Sequence, residues 1–225
     1  MDMDLSLAKN ISDDEVFFRL YRWSPFCISL GANQKETEVD FAKAKADKID
    51  VVKRPTGGRA ILHAEEWTYS MILPLTVNLT PHQIYEKISL ALIRGLVRFE
   101  PSLKKLLQLE KIQPDFRKLL GKSTGMLCFA STAKSEVKYD GKKLIGSAQR
   151  KLNKSVLQHG SILIGKFHRK LPEYLNSNKS ELEYLKTELV KKTTELETIL
   201  KFKVNYSELE QCLINGFEEE WDIKF

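Results

Sequence analysis

The chain has 225 residues, 42% of them hydrophobic and 29% charged, with a net charge of +6. This is the composition of one soluble globular domain, 1–225, large enough to bury a core without staples, and no separate C-terminal lobe is expected. No apolar run approaches the ~20 residues of a bilayer-crossing helix, the acidic start Met1-Asp2-Met3-Asp4 lacks the basic lead of a secretory signal, and three widely spaced cysteines indicate neither a disulfide framework nor a zinc site. A cytoplasmic protein without a metal site is therefore expected. The positive charge would suit an acidic partner. Nucleic acid fits poorly, because lysines are interleaved with glutamates from Lys179 to Glu197 and no nucleic-acid motif is present. A small acidic carrier protein fits as well, and so does plain solubility.

In chain order, residues 3–9 read as the tail of an N-terminal helix. Val16–Trp23, rich in aromatics, reads as a strand, and Phe26–Gly31 as the next. Glu36–Lys48 reads as a helix with Val39, Ala42 and Ala46 along one stripe. Short apolar runs at Ile49–Val52 and Thr68–Leu73 read as strands. Thr80 and Pro81 supply an N-cap and a first helical residue for a long helix to about Phe99, burying Ile84, Ile88, Ala91, Leu92 and Leu96. Residues 101–120 read as a basic loop with short elements, and 125–129 as a short apolar piece. Asp140-Gly141 between Ser135–Tyr139 and Lys143–Ile145 is a two-residue hairpin signal. Val156–Ile164 is a further strand. From Pro172 the chain reads as helical, with Leu182, Leu185 and Leu189 in line, and Glu208–Phe217 forms a last helix. Strands of hairpin type interspersed with helices give an α+β class, a mainly antiparallel or mixed sheet flanked by helices.

Two blocks carry chemistry. The first is Lys53-Arg54-Pro55-Thr56-Gly57-Gly58-Arg59-Ala60-Ile61-Leu62-His63. Paired glycines let backbone approach a ligand closely, and Arg54 and Arg59 place forked donors beside it. By itself the block fits a plain hairpin turn equally well. The second is Asp140-Gly141-Lys142-Lys143-Leu144-Ile145-Gly146-Ser147-Ala148-Gln149-Arg150, followed by Val156-Leu157-Gln158-His159-Gly160-Ser161-Ile162-Leu163-Ile164. Together they resemble the biotin/lipoate protein ligase and transferase superfamily, over about Met3 to Phe167, and look most like its cysteine-dependent, ligase-like octanoyltransferases.

The resemblance implies the catalytic-domain fold of that superfamily and assigns roles. Cys128, in Gly125-Met126-Leu127-Cys128-Phe129, matches the acyl-accepting cysteine, although a lone cysteine is more often a small buried hydrophobe. Lys143, three residues before Gly146, matches the lysine that contacts the acyl carbonyl. As a hairpin lysine it would otherwise be solvated, and its removal would leave stability unchanged. Arg54, Thr56, Gly57, Gly58, Arg59, His63, Gly146, Ser147, Ala148, Gln149, His159 and Gly160 would line the substrate slot, with backbone N–H groups of the two glycine segments stabilising an oxyanion. His159 would line or support the cleft or act as an acid or base. Cys27 reads as strand core and Cys212 as part of a terminal helix.

The implied reaction is that of an octanoyl (or lipoyl) transferase, moving the acyl group from acyl carrier protein, with octanoyl acyl carrier protein the expected donor, through a Cys128 thioester to a lysine of a lipoyl domain or of the glycine-cleavage H protein, with no cofactor. An ATP- and Mg-dependent lipoate–protein ligase is the alternative, and a catalytically silent paralogue that only binds carrier or lipoyl proteins is another. Two departures count against nucleotide machinery. His63 is followed by Ala64-Glu65-Glu66 where ligases have Asp, and Lys53-Arg54 replaces the usual Arg-Arg. The glycine motif specific to biotin ligases is not seen.

Overall fold

The computed structural model describes residues 1–110 and 135–225. Its centre is a four-stranded antiparallel sheet in the order β1-β5-β10-β9. These strands are β1 (Phe17–Tyr21), β5 (Glu66–Pro74), β9 (Ile145–Lys151) and β10 (Ser155–Leu163). The two middle strands, β5 and β10, are nearly continuous in burial, as strands covered on both faces must be.

Alternation sorts their side chains onto two faces. Trp67, Tyr69, Met71 and Leu73 of β5 pack with Val156 and Ile162 of β10 against α3 (Pro81–Phe99) and the last helix, α6 (Tyr206–Trp221). Ile72 and Leu157 face the other way, onto Ala8 of α1 (Asp2–Asn10) and Ile11. Helix α3 begins where its cap chemistry predicts: the Thr80 hydroxyl accepts from the backbone N–H of Gln83, and the Gln83 side chain returns to the Thr80 N–H.

A second sheet, β3-β2-β4, holds the glycine block. Here β2 (Cys27–Leu30) runs parallel to β3 (Asp50–Lys53) and antiparallel to β4 (Ile61–His63). The strands on either side of the glycine loop therefore flank β2 and never pair with each other, so the loop is not a hairpin turn. A third sheet joins β6 (Leu107–Leu109), β7 (Val137–Tyr139) and β8 (Lys142–Lys143). Asp140 and Gly141 both have positive φ, 47° and 71°, as the hairpin signal requires.

Two helical expectations need correction. The Glu36–Lys48 stretch splits into a 3-10 turn (Glu36–Glu38) and α2 (Phe41–Ala46), because Asp40 caps a new helix through the Lys43 N–H. After Phe167 the chain first makes 3-10 turns (Phe167–Tyr174), and regular helix resumes only at α4 (Lys179–Lys192), capped by Asn178 and followed by α5 (Leu196–Leu200). Leu185 and Leu189 are buried as their stripe predicts. Among the described residues no helix is long and apolar enough to cross a membrane.

One close approach fixes the glycine loop on β2. A Cβ built on Gly31 would lie 2.0 Å from the Gly58 carbonyl oxygen, whereas one on Gly57 meets nothing within 4 Å. Gly31→Ala is expected to lower stability by about 2 kcal/mol or more, since backbone cannot yield as a side-chain tip can. Gly57→Ala should stay within about 0.5 kcal/mol of the parent. Urea midpoints measure both, and equal midpoints for the two variants would refute this packing.

Candidate active site

The polar positions of β5 and β10 point inward. Glu66, Thr68 and Ser70 of β5, and His159 and Ser161 of β10, share the face that looks onto the second sheet, and all are buried. Strand β9 adds Gly146 and Ala148 on the same face, opposite Ser161 and His159. The second sheet supplies Ile61 and His63, and Arg54 enters from the glycine loop. Of these groups all but Glu66 and Ser70, together with Met1, Ser147 and Gly160, line a cavity of about 330 Å³, a volume that includes space open to solvent.

One wall of this cavity is a continuous hydrogen-bond relay. Arg54, expected beside bare backbone, turns inward. Its guanidinium donates to the carbonyls of Ser29 (2.8 Å), Gly57 (3.0 Å) and Arg59 (2.7 Å), and to Ser29 Oγ at 3.1 Å. It therefore holds the glycine loop closed with charge-assisted bonds. With Ser29 Oγ accepting from Arg54, its own hydrogen is directed to His63 Nε2, 2.7 Å away. His63 Nδ1 then carries a proton toward Glu66 Oε1, also at 2.7 Å. The same carboxylate oxygen accepts from Thr68 Oγ1 (2.7 Å) and Ser161 Oγ (2.8 Å). The Trp23 indole stacks on the His63 ring at 4.8 Å between centroids and donates to Thr68 Oγ1. Glu66 thus supplies the carboxylate that the missing Asp after His63 does not. The signal for it was His63 and Glu66 at i,i+3 across the β4–β5 corner.

The opposite wall holds His159. Its Nε2 lies 2.6 Å from Thr56 Oγ1, and its Nδ1 is buried with no hydrogen-bond partner among the described residues. Burial, then the charge of Arg54, push its pKa down to about 3, so the ring is neutral at ordinary pH.

Ser147 and Gln149 alternate onto the helix-facing side of β9. Ser147 Oγ is 2.6 Å from the Tyr69 hydroxyl, which accepts from Gln158 Nε2, and Gln158 Oε1 in turn accepts from Gln149. Gly160 sits where β9, β10 and Tyr69 crowd together. A Cβ there would lie 2.4 Å from the Gly146 carbonyl oxygen and 2.7 Å from the Tyr69 ring.

Lys143 is buried rather than solvated, 1% exposed, and does not line the cavity. Its Nζ pairs with Glu136 Oε2 at 2.9 Å, while Glu136 Oε1 accepts the Ser147 N–H at 3.1 Å. One carboxylate therefore ties the lysine to the outer edge of β9. It also occupies a backbone N–H expected to face an oxyanion. Thr194 N–H caps the Lys143 carbonyl at 3.0 Å, so the segment after α4 clamps the lysine hairpin from behind.

Of the cysteines, Cys27 is fully buried in β2 and its thiol is pushed up to about 12, chiefly by burial and then by Asp50. Cys212 lies on α6, its pKa also raised by burial. Cys128 falls outside the described residues. Among the described residues no group of three or more His, Cys, Asp or Glu side chains is placed to hold a metal ion.

A family model described as the lipoyl protein ligase A/B catalytic domain matches residues 1–218. The chain belongs to this family. Among its relatives, the octanoyltransferase LipM of Exiguobacterium sp. (strain ATCC BAA-1283 / AT1b) is 33% identical over 229 residues, covering 100% of this chain and 83% of that protein. The LipM of Clostridioides difficile is 32% identical, over 97% of this chain and 84% of its own length. Among solved structures, a bipartite lipoate protein ligase from Thermoplasma acidophilum superposes with a TM-score of 0.75 at 18% identity, over 99% of this chain and 78% of that one. A lipoate-protein ligase A bound with ATP gives 0.73 at 18% identity, over 99% and 79%. At that identity the structures show that the lipoyl ligase A/B fold is shared, and no more.

Within this family fold the family motifs are brought together unequally. Arg54, His63, Gly146, Ala148, His159 and Gly160 meet at the cavity. Thr56 touches it through His159, and Gly57 and Arg59 are held by Arg54. Gln149 and Lys143 lie outside it. Glu66, Glu136 and Tyr69 are the polar members that motif reading missed.

Lys143→Ala should be destabilising, in contrast to the behaviour of a solvated lysine, because it leaves the Glu136 carboxylate buried without its ammonium. A loss of about 3–5 kcal/mol is expected from chemical denaturation, with partial recovery in Lys143→Met/Glu136→Gln. A parent-like midpoint for Lys143→Ala would mean that the pair does not form.

Proposed function

We propose that this chain is an octanoyltransferase that takes an octanoyl group from octanoyl acyl carrier protein onto Cys128 and passes it to a lysine of a lipoyl domain or of the glycine-cleavage H protein, in the cytoplasm. What supports the reading is the meeting of three distant motif segments around one cavity, in a chain 97–100% of which matches proteins named octanoyltransferase.

In the first step the Cys128 thiolate attacks the carrier thioester. A C–S bond to Cys128 forms, the carrier's C–S bond breaks, and the carrier thiol takes up the proton that Cys128 gave. In the second step the acceptor amine attacks the Cys128 thioester. A C–N bond forms, the C–S bond breaks, and the amine's proton returns to the sulfur. One thioester is consumed and one amide made, so the balance calls for no nucleotide, metal or redox group. Cys128 is taken as the nucleophile on the family resemblance; Cys27 is fully buried in β2, its thiol pushed up by burial, which makes it a poor nucleophile, and Cys212 lies on α6 away from the cavity. Lys143 and Glu136 hold β9 in place beside the acyl slot.

Intact mass after incubation with octanoyl carrier protein, EDTA present and ATP absent, is expected to show one hydroxylamine-labile octanoyl group. Cys27→Ser and Cys212→Ser should be labelled and Cys128→Ser should not. Acceptor modified from free lipoate with ATP and Mg²⁺, with Cys128→Ser still active, would establish the ligase instead.

A further inference from the structure

The two cavity histidines use their ring nitrogens differently. His63 commits both, to Ser29 and to Glu66. Among the described residues His159 commits only Nε2, to Thr56, and its Nδ1 is a buried polar atom without a partner. Such an atom is costly unless something meets it when the site is occupied.

Which atom carries the ring proton follows from the neighbours. If His159 donated Nε2–H to Thr56, the Thr56 hydroxyl hydrogen would be stranded on a side chain that is fully buried and does not line the cavity. If Thr56 donates to Nε2, the unmet donor is Nδ1–H, on a residue that does line it. Unmet buried donors are rare, so the second arrangement, in which a ligand can meet the donor, is favoured.

We infer that His159 is a catalytic residue of the acyl transfer proposed above: with Thr56 fixing its tautomer, its Nδ1–H donates a hydrogen bond to the acyl carbonyl oxygen as negative charge develops there. No proton is transferred. The group acts as a preorganised donor, which is the work expected of an oxyanion hole. The need for it is concrete, since the Ser147 N–H is already committed to Glu136. The charged groups facing the ring are Arg54 of the glycine loop and the amino group of Met1, and His63 of β4 is its titratable neighbour. Its sheet partners, Ser70 on β5 and Ala148 on β9, carry no charge. Surrounded by positive charge and buried, the ring stays a neutral donor and does not serve as a base.

The test combines kinetics with a measurement that needs no acyl donor. With octanoyl carrier protein and a lipoyl domain, His159→Leu should lower kcat by about 10²–10³-fold with KM moved less than about threefold. His159→Asn keeps an amide N–H near the Nδ1 position and should stay within about tenfold of the parent, with an unchanged pH–rate profile. In ¹⁵N-histidine spectra of the parent, with His159 assigned by its loss in the Asn variant, the ring should be the Nδ1–H tautomer and should not titrate between pH 8 and 5. An Nε2–H tautomer, a midpoint near pH 6.5, or a parent-like His159→Leu overturns the inference. If the parent transfers no octanoyl group, it is the acyl-transfer reading that fails, and the spectra still report the tautomer.

Discussion

Nine residue pairs join β5 to β10, from Ser155↔Pro74 to Leu163↔Glu66, and the site hangs on that register. It sets His159 opposite Ser70, Gly160 opposite Tyr69 and Ser161 opposite Thr68. A slip by one residue would turn every side chain of β10 to the other face. His159 and Ser161 would then press into the helices, and Gln158 would lose Tyr69. The register is protected because both faces are specified: Val156 and Ile162 belong with α3 and α6, while Leu157 belongs with α1.

Within that frame, the sheet carries polar networks that do separate work. On the cavity face, Arg54, Ser29, His63 and Glu66 form a chain in which each group fixes the next, so the cavity wall is rigid before any ligand arrives. On the helix face, Ser147, Tyr69, Gln158 and Gln149 lock β9 to β10 and β5. At the outer edge, Glu136 ties Lys143 to Ser147. Buried groups of this kind stabilise only when satisfied, and partial networks cost more than apolar packing. Of the buried side-chain polar atoms that find no partner among the described residues, Asp4 Oδ2, the Tyr21 hydroxyl and Trp221 Nε1 lie away from the cavity lining, whereas His159 Nδ1 belongs to a residue that lines it and Glu66 Oε2 to one directly behind it.

The cavity is lined mainly by strand residues, which hold their geometry well. Here the carboxylate that meets His63 comes from Glu66 at the start of β5, a rigid position, and not from the residue next to the histidine.

The sequence by itself determined the elements whose signals are local. The Thr80 cap opens α3, Asp140-Gly141 turns β7 into β8 through two positive φ angles, and β5 and β10 are legible as apolar runs. The motifs carrying the family resemblance also pointed to Arg54, His63, Gly146 and His159 before any contact was known. What only the tertiary structure decided is the partner of each polar group. Thr56 and His159 are 103 residues apart, Glu66 and Ser161 are 95 apart, and Tyr69 and Ser147 are 78 apart. Propensity and periodicity report on neighbours a few positions away, so they could not show that Arg54 turns inward, that Lys143 is buried against Glu136, or that Glu66 serves His63. Those facts are set by strand register and by which sheet closes over which, and both are long-range properties of the fold.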